Sequence, residues 1–158
     1  MSGTGNAAPE GYRSVTPYLA VDGAARAVAF YAEAFGARER MRLDMPGGKI
    51  GHAELEIGDA LVMLADPWPG GAFEAPRGGT ASVSIHLYAS DADAVFARPV
   101  EAGATASRAV GTHFYGDRGG MLRDPSGHHW HLAHRVEEVS LKRRSGGWRR
   151  SPGRDDGC

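Results

Sequence analysis

The sequence repeats one order of predicted secondary structure, and this repeat restricts the possible folds more than any other feature. The first half reads strand, helix and three strands, and the second half reads the same. Letters repeat as well: Glu33-Ala34-Phe35-Gly36-Ala37 resembles Glu101-Ala102-Gly103-Ala104, and Gly58 precedes the fourth strand as Gly127 precedes the last. We therefore predict an α+β fold built from two tandem βαβββ modules.

Hydrophobic periodicity and turn residues give the bounds of the predicted elements. Module one covers residues 12–66, a linker rich in Pro and Gly covers 67–79, and module two covers 80–139. Pro99 predicts a kink or an early end in the second helix, because proline removes a backbone hydrogen bond. The predicted helices are 24–35, capped by Asp22, and 91–102. The predicted strands are 14–21, 38–45, 50–57, 61–65, 81–89, 107–115, 120–123 and 129–136.

The two ends of the chain differ in composition from the region between them. Residues 1–11 predict a flexible leader, and residues 140–158 predict a basic flexible tail. The whole chain is nearly neutral, with 18 Lys and Arg against 19 Asp and Glu. Proteins that bind nucleic acid specifically usually carry a basic excess, so no such partner is expected.

Other classes of protein are excluded by simple composition. A hydrophobic fraction of 42% excludes a wholly disordered chain. No apolar run approaches the ~18 residues that a membrane span needs, and the first residues lack the apolar region of a secretion signal. The one cysteine, Cys158, cannot form an intrachain disulfide. We therefore expect a cytoplasmic protein without a membrane partner.

Several short segments together resemble the vicinal oxygen chelate superfamily, which includes glyoxalases, bleomycin resistance proteins and dioxygenases, and in particular its PhnB-like branch. The segments are Thr16-Pro17-Tyr18-Leu19, Ala29-Phe30-Tyr31, His52-Ala53-Glu54-Leu55, Tyr115-Gly116-Asp117-Arg118 and Asp124-Pro125-Ser126-Gly127-His128-His129-Trp130. The resemblance covers residues from about 14 to 139, within a predicted domain of residues 12–139. It implies that the modules form cupped mixed sheets with helices outside, that the sheets enclose a ligand cavity, and that the protein is a homodimer.

Metal-using relatives hold one divalent ion with side chains from the first, fourth, fifth and eighth strands. The resemblance places Thr16, Val62, Ser84 and His131 at these positions. Three of the four are poor or impossible ligands, so no cofactor is expected. A displaced site for zinc, nickel or iron is the alternative, and its ligands would be His52, Glu54, His86 and His131.

The same polar residues are the candidates for a ligand cavity. Alternation along the predicted strands places His52 with Glu54 on one face, and His86 and His131 towards the cavity. Tyr115 is the added aromatic candidate, since small-molecule pockets combine aromatic walls with a few polar groups. The leading hypothesis is a protein that binds or sequesters a small aromatic or polar compound without the metal. The alternative is a divalent-metal-dependent lyase, isomerase or dioxygenase, and no catalytic residue is assigned.

A homodimer is also expected from the strands themselves. Each module leaves sheet edges that must be paired or covered, and the linker 67–79 is long enough for modules to pair within one chain or between two. We expect two equivalent cavities, each lined by both sheets of a paired set of modules.

Overall fold

The computed structural model describes residues 8–147 and contains both βαβββ modules. The α+β fold predicted from the repeat is therefore confirmed. The elements in chain order are β1 (Tyr18–Ala20), α1 (Ala24–Phe35), β2 (Arg38–Met45), β3 (Lys49–Ile57), β4 (Ala60–Ala65), β5 (Ser84–Tyr88), α2 (Ala92–Glu101), β6 (Thr105–Thr112), β7 (Asp117–Arg123), β8 (His129–Arg135) and α3 (Leu141–Gly147).

Each module forms its own four-stranded mixed sheet. The strand order is β1-β4-β3-β2 in module one and β5-β8-β7-β6 in module two. The first and last strands of each module pair in parallel, and the other neighbours are antiparallel. The two sheets therefore have equivalent topology, with β1 and β5 as equivalent edge strands.

One face of each sheet is packed and the other is open. In β3, Ala53, Leu55 and Ile57 are buried, whereas the alternate residues His52 and Glu54 are only half-buried. Helix α1 packs on the buried face of the module-one sheet, and α2 packs on β6, β7 and β8 of the other. Apolar burial drives this arrangement, so the polar residues are left on the face away from the helices.

A buried carboxylate joins the two modules. The Tyr31 hydroxyl in α1 donates a hydrogen bond of 2.6 Å to Asp124 Oδ2, and Trp130 Nε1 donates one of 2.8 Å to the same oxygen. Asp124 Oδ1 accepts from the backbone N–H groups of Ser126 and His128. Phe35 lies against Trp130, with ring centroids 4.5 Å apart. The aromatic core of module one thus continues into module two.

A second carboxylate fixes the start of α1. Asp66 Oδ1 accepts from the N–H groups of Gly23 and Ala24, and Oδ2 accepts from Ile50 N at 2.8 Å. Asp22 was the predicted cap, but the N-terminal boundary residue is Gly23 and no side-chain capping bond comes from a neighbour in sequence. Asp66 satisfies the same backbone donors from the end of β4. Gly36 ends the helix as predicted, with φ 67°.

Several elements differ from the prediction. Strands β1 and β5 are shorter than predicted, and β6 ends at Thr112, which places Tyr115 in the loop before β7. Helix α2 continues past Pro99, which is fully buried, to Glu101. The expected early end is therefore absent, and burial of the proline ring compensates for its missing hydrogen bond.

The two terminal predictions are only partly covered by the structure. Residues 9–12 form a turn, and residues 141–147 form helix α3 where a flexible tail was predicted. Residues 1–7 of the leader and 148–158 of the tail, with Cys158, lie outside the described residues. Within residues 8–147, no helix is long and apolar enough to cross a membrane.

The bond between Tyr31 and Asp124 is expected to contribute to the stability of the whole described region. We predict that Tyr31→Phe lowers the free energy of unfolding by about 2 kcal/mol, because it removes a buried hydrogen bond to a charged acceptor. Urea unfolding followed by tryptophan fluorescence measures the change. Tyr115→Phe is the matched control, since among residues 8–147 no side chain forms a hydrogen bond with its hydroxyl. Equal stability of the two variants would contradict the prediction.

Candidate functional site

The open face of module one carries a short polar network. Strand pairing aligns Tyr18 with Met63 and Met63 with Glu54, and His52 shares the face of Glu54. The Tyr18 hydroxyl is hydrogen-bonded with His52 Nδ1 at 2.8 Å, and His52 Nε2 lies 3.5 Å from Glu54 Oε1. Arg40 approaches the other oxygen of Glu54 at 4.0 Å. His52 and Glu54 are thus in contact, as their spacing predicts.

The open face of module two carries a row of larger polar side chains. Pairing aligns His86 with His131, His131 with Met121, and Met121 with Arg108. The imidazole centroids of His86 and His131 are 4.2 Å apart. Positions equivalent to Tyr18 and Met63 of module one therefore hold a pair of histidines in module two.

Aromatic rings flank this histidine pair on two sides. His86 stacks on Tyr88 at a centroid distance of 4.6 Å. His113 stacks on Tyr115 with an interplanar angle of 8°, and the His113 ring lies 6.2 Å from His131. The loop before β7 thus brings Tyr115 to the cluster from outside a strand. We call these five residues, His86, Tyr88, His113, Tyr115 and His131, the histidine cluster.

The electrostatic environment keeps the histidine pair neutral near pH 7. Burial, together with His86, Arg108 and His113, lowers the pKa of His131 to about 4, although Asp117 acts in the opposite direction. Burial also lowers the pKa of His86. The Nε2 atom of His131 is buried and has no hydrogen-bond partner among the described residues. An unpaired buried nitrogen is costly, so this atom lacks a hydrogen-bond partner that a bound molecule would supply.

One carboxylate lies beside the cluster, and its hydrogen-bond and ion-pair partners are already present. Asp117 is buried and accepts hydrogen bonds from the Tyr88 hydroxyl, at 2.8 Å, and from Arg135 Nε. Burial alone would raise the pKa of Asp117, but the bonds from Arg135 and Tyr88 lower it below its usual value. Asp117 is therefore ionised, and its charge is compensated by Arg135.

A cleft of about 980 Å³ separates the edge strands β1 and β5. Linker residues form one wall, where Phe73 lies edge-on against Tyr18 with ring centroids 4.9 Å apart. Tyr18 lines the cleft from module one and His86 lines it from module two. The cleft therefore connects the His52 network, through Tyr18, with the histidine cluster, through His86.

The five predicted site residues fall into two contacting groups. His52 and Glu54 meet in module one. In module two His86 contacts His131, and Tyr115 is linked to His131 through His113. Within residues 8–147, no three His, Cys, Asp or Glu side chains are grouped so that they could hold a metal ion. One chain's described residues thus do not bring His52, Glu54, His86 and His131 together as a metal site.

The positions that metal-using relatives employ do not fit a metal either. Val62 pairs with Leu55 on the packed face and is buried, so the prediction that it occupies a ligand position was out of register. Met63 holds the open-face position, and its thioether is a poor ligand for a hard divalent ion. Thr16 precedes β1, and Ser84 pairs with His129 rather than with His131. Of the four positions, only the one at His131 holds a side chain that ordinarily binds a metal.

Sequence reasoning missed three residues of the site. Tyr18 was not among the predicted site residues, but it lies on the open face and is 44% exposed. Tyr88 is two residues from His86 in the same strand, so the alternation of faces could have identified it from the sequence. Arg108 follows an irregularity in the pairing of β6 with β7, which changes the alternation of faces. No local pattern shows on which face Arg108 lies.

Comparison with known proteins gives one consistent family. The model of the Glyoxalase/Bleomycin resistance protein/Dioxygenase superfamily matches residues 13–132. The uncharacterized protein Mb0911c of Mycobacterium bovis is 45% identical over 133 residues, 81% of this chain and 87% of that protein.

Solved structures have the same fold. TioX from Micromonospora sp. ML1 has a TM-score of 0.63 and 28% identity, and the match covers 77% of this chain and 98% of that chain. The PhnB protein from Bacillus cereus has a TM-score of 0.62 and 20% identity, with 77% and 99% covered. At that identity, the likeness to the PhnB protein concerns the fold alone.

The pKa of His131 predicts how stability changes with pH. Because its pKa of about 4 in the fold lies below the ~6.5 of an unfolded histidine, the unfolded chain binds more protons between these values. This contribution to stability is present above about pH 6.5 and is lost as the pH falls towards 4. We predict that His131→Gln loses less stability than the unchanged protein between pH 7 and pH 5, measured by urea unfolding.

His129→Gln is the matched control for this measurement. His129 lies on the same strand, is half-buried, and donates to the carbonyl of Gly79. It should reproduce the pH dependence of the unchanged protein. If His129→Gln and His131→Gln flatten the profile equally, the special environment of His131 is refuted.

Proposed function

Because the chain belongs to the glyoxalase, bleomycin resistance protein and dioxygenase superfamily, we propose that it binds a small aromatic or polar compound at the histidine cluster, without the metal of its metal-using relatives. The ligand lies across the open face of module two and reaches into the cleft between β1 and β5. The protein holds or sequesters this compound rather than transforming it.

The observation that carries this proposal is the buried, unpartnered Nε2 of His131. It lies among rings that provide flat apolar surface, and beside a cleft large enough for a small organic molecule. A ligand that hydrogen-bonds to Nε2 recovers the energy that the free protein loses by burying that atom. Stacking on the neighbouring rings adds affinity and selects planar molecules.

A metal-dependent lyase, isomerase or dioxygenase is the second candidate. The contact between His86 and His131 favours it, since two neutral imidazoles 4.2 Å apart offer two nitrogen donors. A complete site would need further donors, and His52 with Glu54 are the ones that the sequence offers. Since no third donor joins the pair among residues 8–147, we rank this candidate below simple binding.

We further propose a homodimer. Each sheet exposes one face, and the open face of module one includes apolar side chains such as Leu43, which is 57% exposed. A second copy that covers these faces would remove apolar surface from water and close a cavity over each cluster. In such a dimer, the open faces of two sheets line each cavity, which is the arrangement expected from the need to cover the strand edges. The nearly neutral chain with its single cysteine is proposed to act in the cytoplasm.

Ligand binding at the histidine cluster can be tested with a panel of planar compounds, some neutral and some charged. We expect at least one to raise the melting temperature and to bind in calorimetric titration. The variant His131→Phe should weaken that binding by about tenfold, because it removes the acceptor or donor at Nε2. Trp68→Ala, at a linker residue that is 62% exposed, is the control for unspecific adsorption and should bind as before.

Two outcomes would count against metal-free binding. A panel without any binder at millimolar concentration contradicts the proposal directly. Binding that disappears after dialysis against a chelator, and returns with zinc, nickel or ferrous iron, favours the metal-dependent candidate instead.

The assembly can be tested by sedimentation equilibrium at micromolar concentration. We expect a species of twice the chain mass, and we expect Leu43→Lys to shift it towards the monomer by placing a charge in the apolar contact. Leu141→Lys, at a leucine that is 80% exposed on α3, is the matched control and should stay dimeric. A single species of one chain mass for the unchanged protein would refute the dimer.

A further inference from the structure

The open face of module two presents a cation and an unpartnered imidazole nitrogen side by side, and we infer that its ligand is a planar organic anion, such as an aromatic carboxylate. The anionic group lies between Arg108 and His131, and the planar part lies against the rings of the histidine cluster. This inference rests on the proposed function and adds the charge of the ligand to it.

Arg108 is the first observation behind this inference. Its side chain is half-buried on the open face, and its polar contact is the thioether sulfur of Met121. Among the described residues, no carboxylate lies within ion-pair distance of its guanidinium, although Arg118 and Arg135 each pair with an aspartate. A thioether is a weak acceptor and arginine stays charged in proteins, so an anion is the natural missing partner.

His131 provides the second and independent observation. It stands in the same cross-strand row as Arg108, with Met121 between them. Adjacent strands lie about 4.8 Å apart, so a carboxylate above Met121 lies one strand away from Arg108 on one side and from His131 on the other. One oxygen can accept from the guanidinium and the other from a protonated Nε2, which would satisfy the atom that is unpartnered in the free protein.

The surrounding charges favour an anion over a cation. The titratable groups that act on His131 are His86 on β5, Arg108 on β6, His113 in the following loop and Asp117 on β7. Tyr88 stacks on His86 and Tyr115 stacks on His113. Asp117 is the one acid among them, and Arg135 already compensates it. Arg108 is therefore an uncompensated cation close to His131 among the described residues. A bound cation would meet repulsion from Arg108 and would find no free carboxylate.

The rings determine the shape of the ligand. The pair His86–Tyr88 and the pair His113–Tyr115 stand on either side of His131, with interplanar angles of 25° and 8° within the pairs. Stacked ring pairs of this kind offer flat apolar surface, on which a planar molecule can lie with little loss of conformational freedom. A flexible aliphatic anion would lose more freedom and gain less contact.

The experiment compares two molecules of the same shape and different charge, 2-naphthoate and its neutral amide, 2-naphthamide. Calorimetric titration at neutral pH and low salt should show the carboxylate binding at least about tenfold more tightly. Arg108→Gln should remove this preference, and Arg108→Lys, which keeps the charge, should restore most of it. Arg98→Gln, at an exposed arginine of α2, is the matched control and should leave the preference unchanged.

Proton uptake on binding is a second measurement, and it is not expected if His131 has only a structural role. An anion beside His131 favours its charged form, so binding of 2-naphthoate near pH 5.5 should take up a proton from solution. Titrations in two buffers of different ionisation enthalpy measure this uptake. It should be absent with 2-naphthamide, and it should disappear in His131→Gln.

The outcomes separate the inference from the proposed function. Equal or tighter binding of the amide refutes the inference that the ligand is an anion, but it does not affect the proposed binding function. The inference is also refuted, and the binding function again unaffected, if a neutral member of the panel binds and 2-naphthoate does not. Preference for the carboxylate without proton uptake overturns the role of His131 in holding the anion. If no compound of either kind binds, the proposed function itself fails.

Discussion

The buried Asp124 carboxylate organises the molecule. It accepts from Tyr31 of module one and from Trp130 of module two, while its other oxygen fixes the turn that leads into β8. Trp130 and His131 are neighbours in β8 and therefore point to opposite faces. By holding Trp130 in the core, Asp124 directs His131 to the open face. The contact that joins the modules thus also orients the central residue of the candidate site.

The two modules carry different chemistry on equivalent positions. Tyr18 and Met63 pair in module one as His86 and His131 pair in module two. The first pair offers a hydroxyl and a soft apolar side chain, and the second offers two neutral imidazoles. The packed faces stay alike, because both must cover a helix with apolar residues. The open faces are free of that requirement, and the differences between the modules are concentrated there.

The sequence determines local features well and distant ones poorly. Helix α1 was predicted to the residue, because its apolar face and its terminal Gly36 are both local signals. The lengths of β1 and β5 were overestimated, since a strand extends only as far as its backbone pairs with a neighbouring strand, and not as far as its β-branched residues. Asp66 was missed as the helix cap because it acts from 43 residues away on Gly23. Candidate site residues followed from strand parity, and Val62 was misplaced because counting from Gly58 does not fix which face a residue takes.

Joining both modules in one chain has a consequence for how a binding site of this kind can vary. In a symmetric pair of single modules, every substitution appears in both halves, so a histidine introduced on one side is also introduced on the other. Here His86 and His131 occur in one half and Tyr18 and Met63 in the other. The covalent linker therefore releases the molecule from exact twofold symmetry. A ligand that is itself asymmetric, with a charged end and an apolar end, can then meet a different surface at each end.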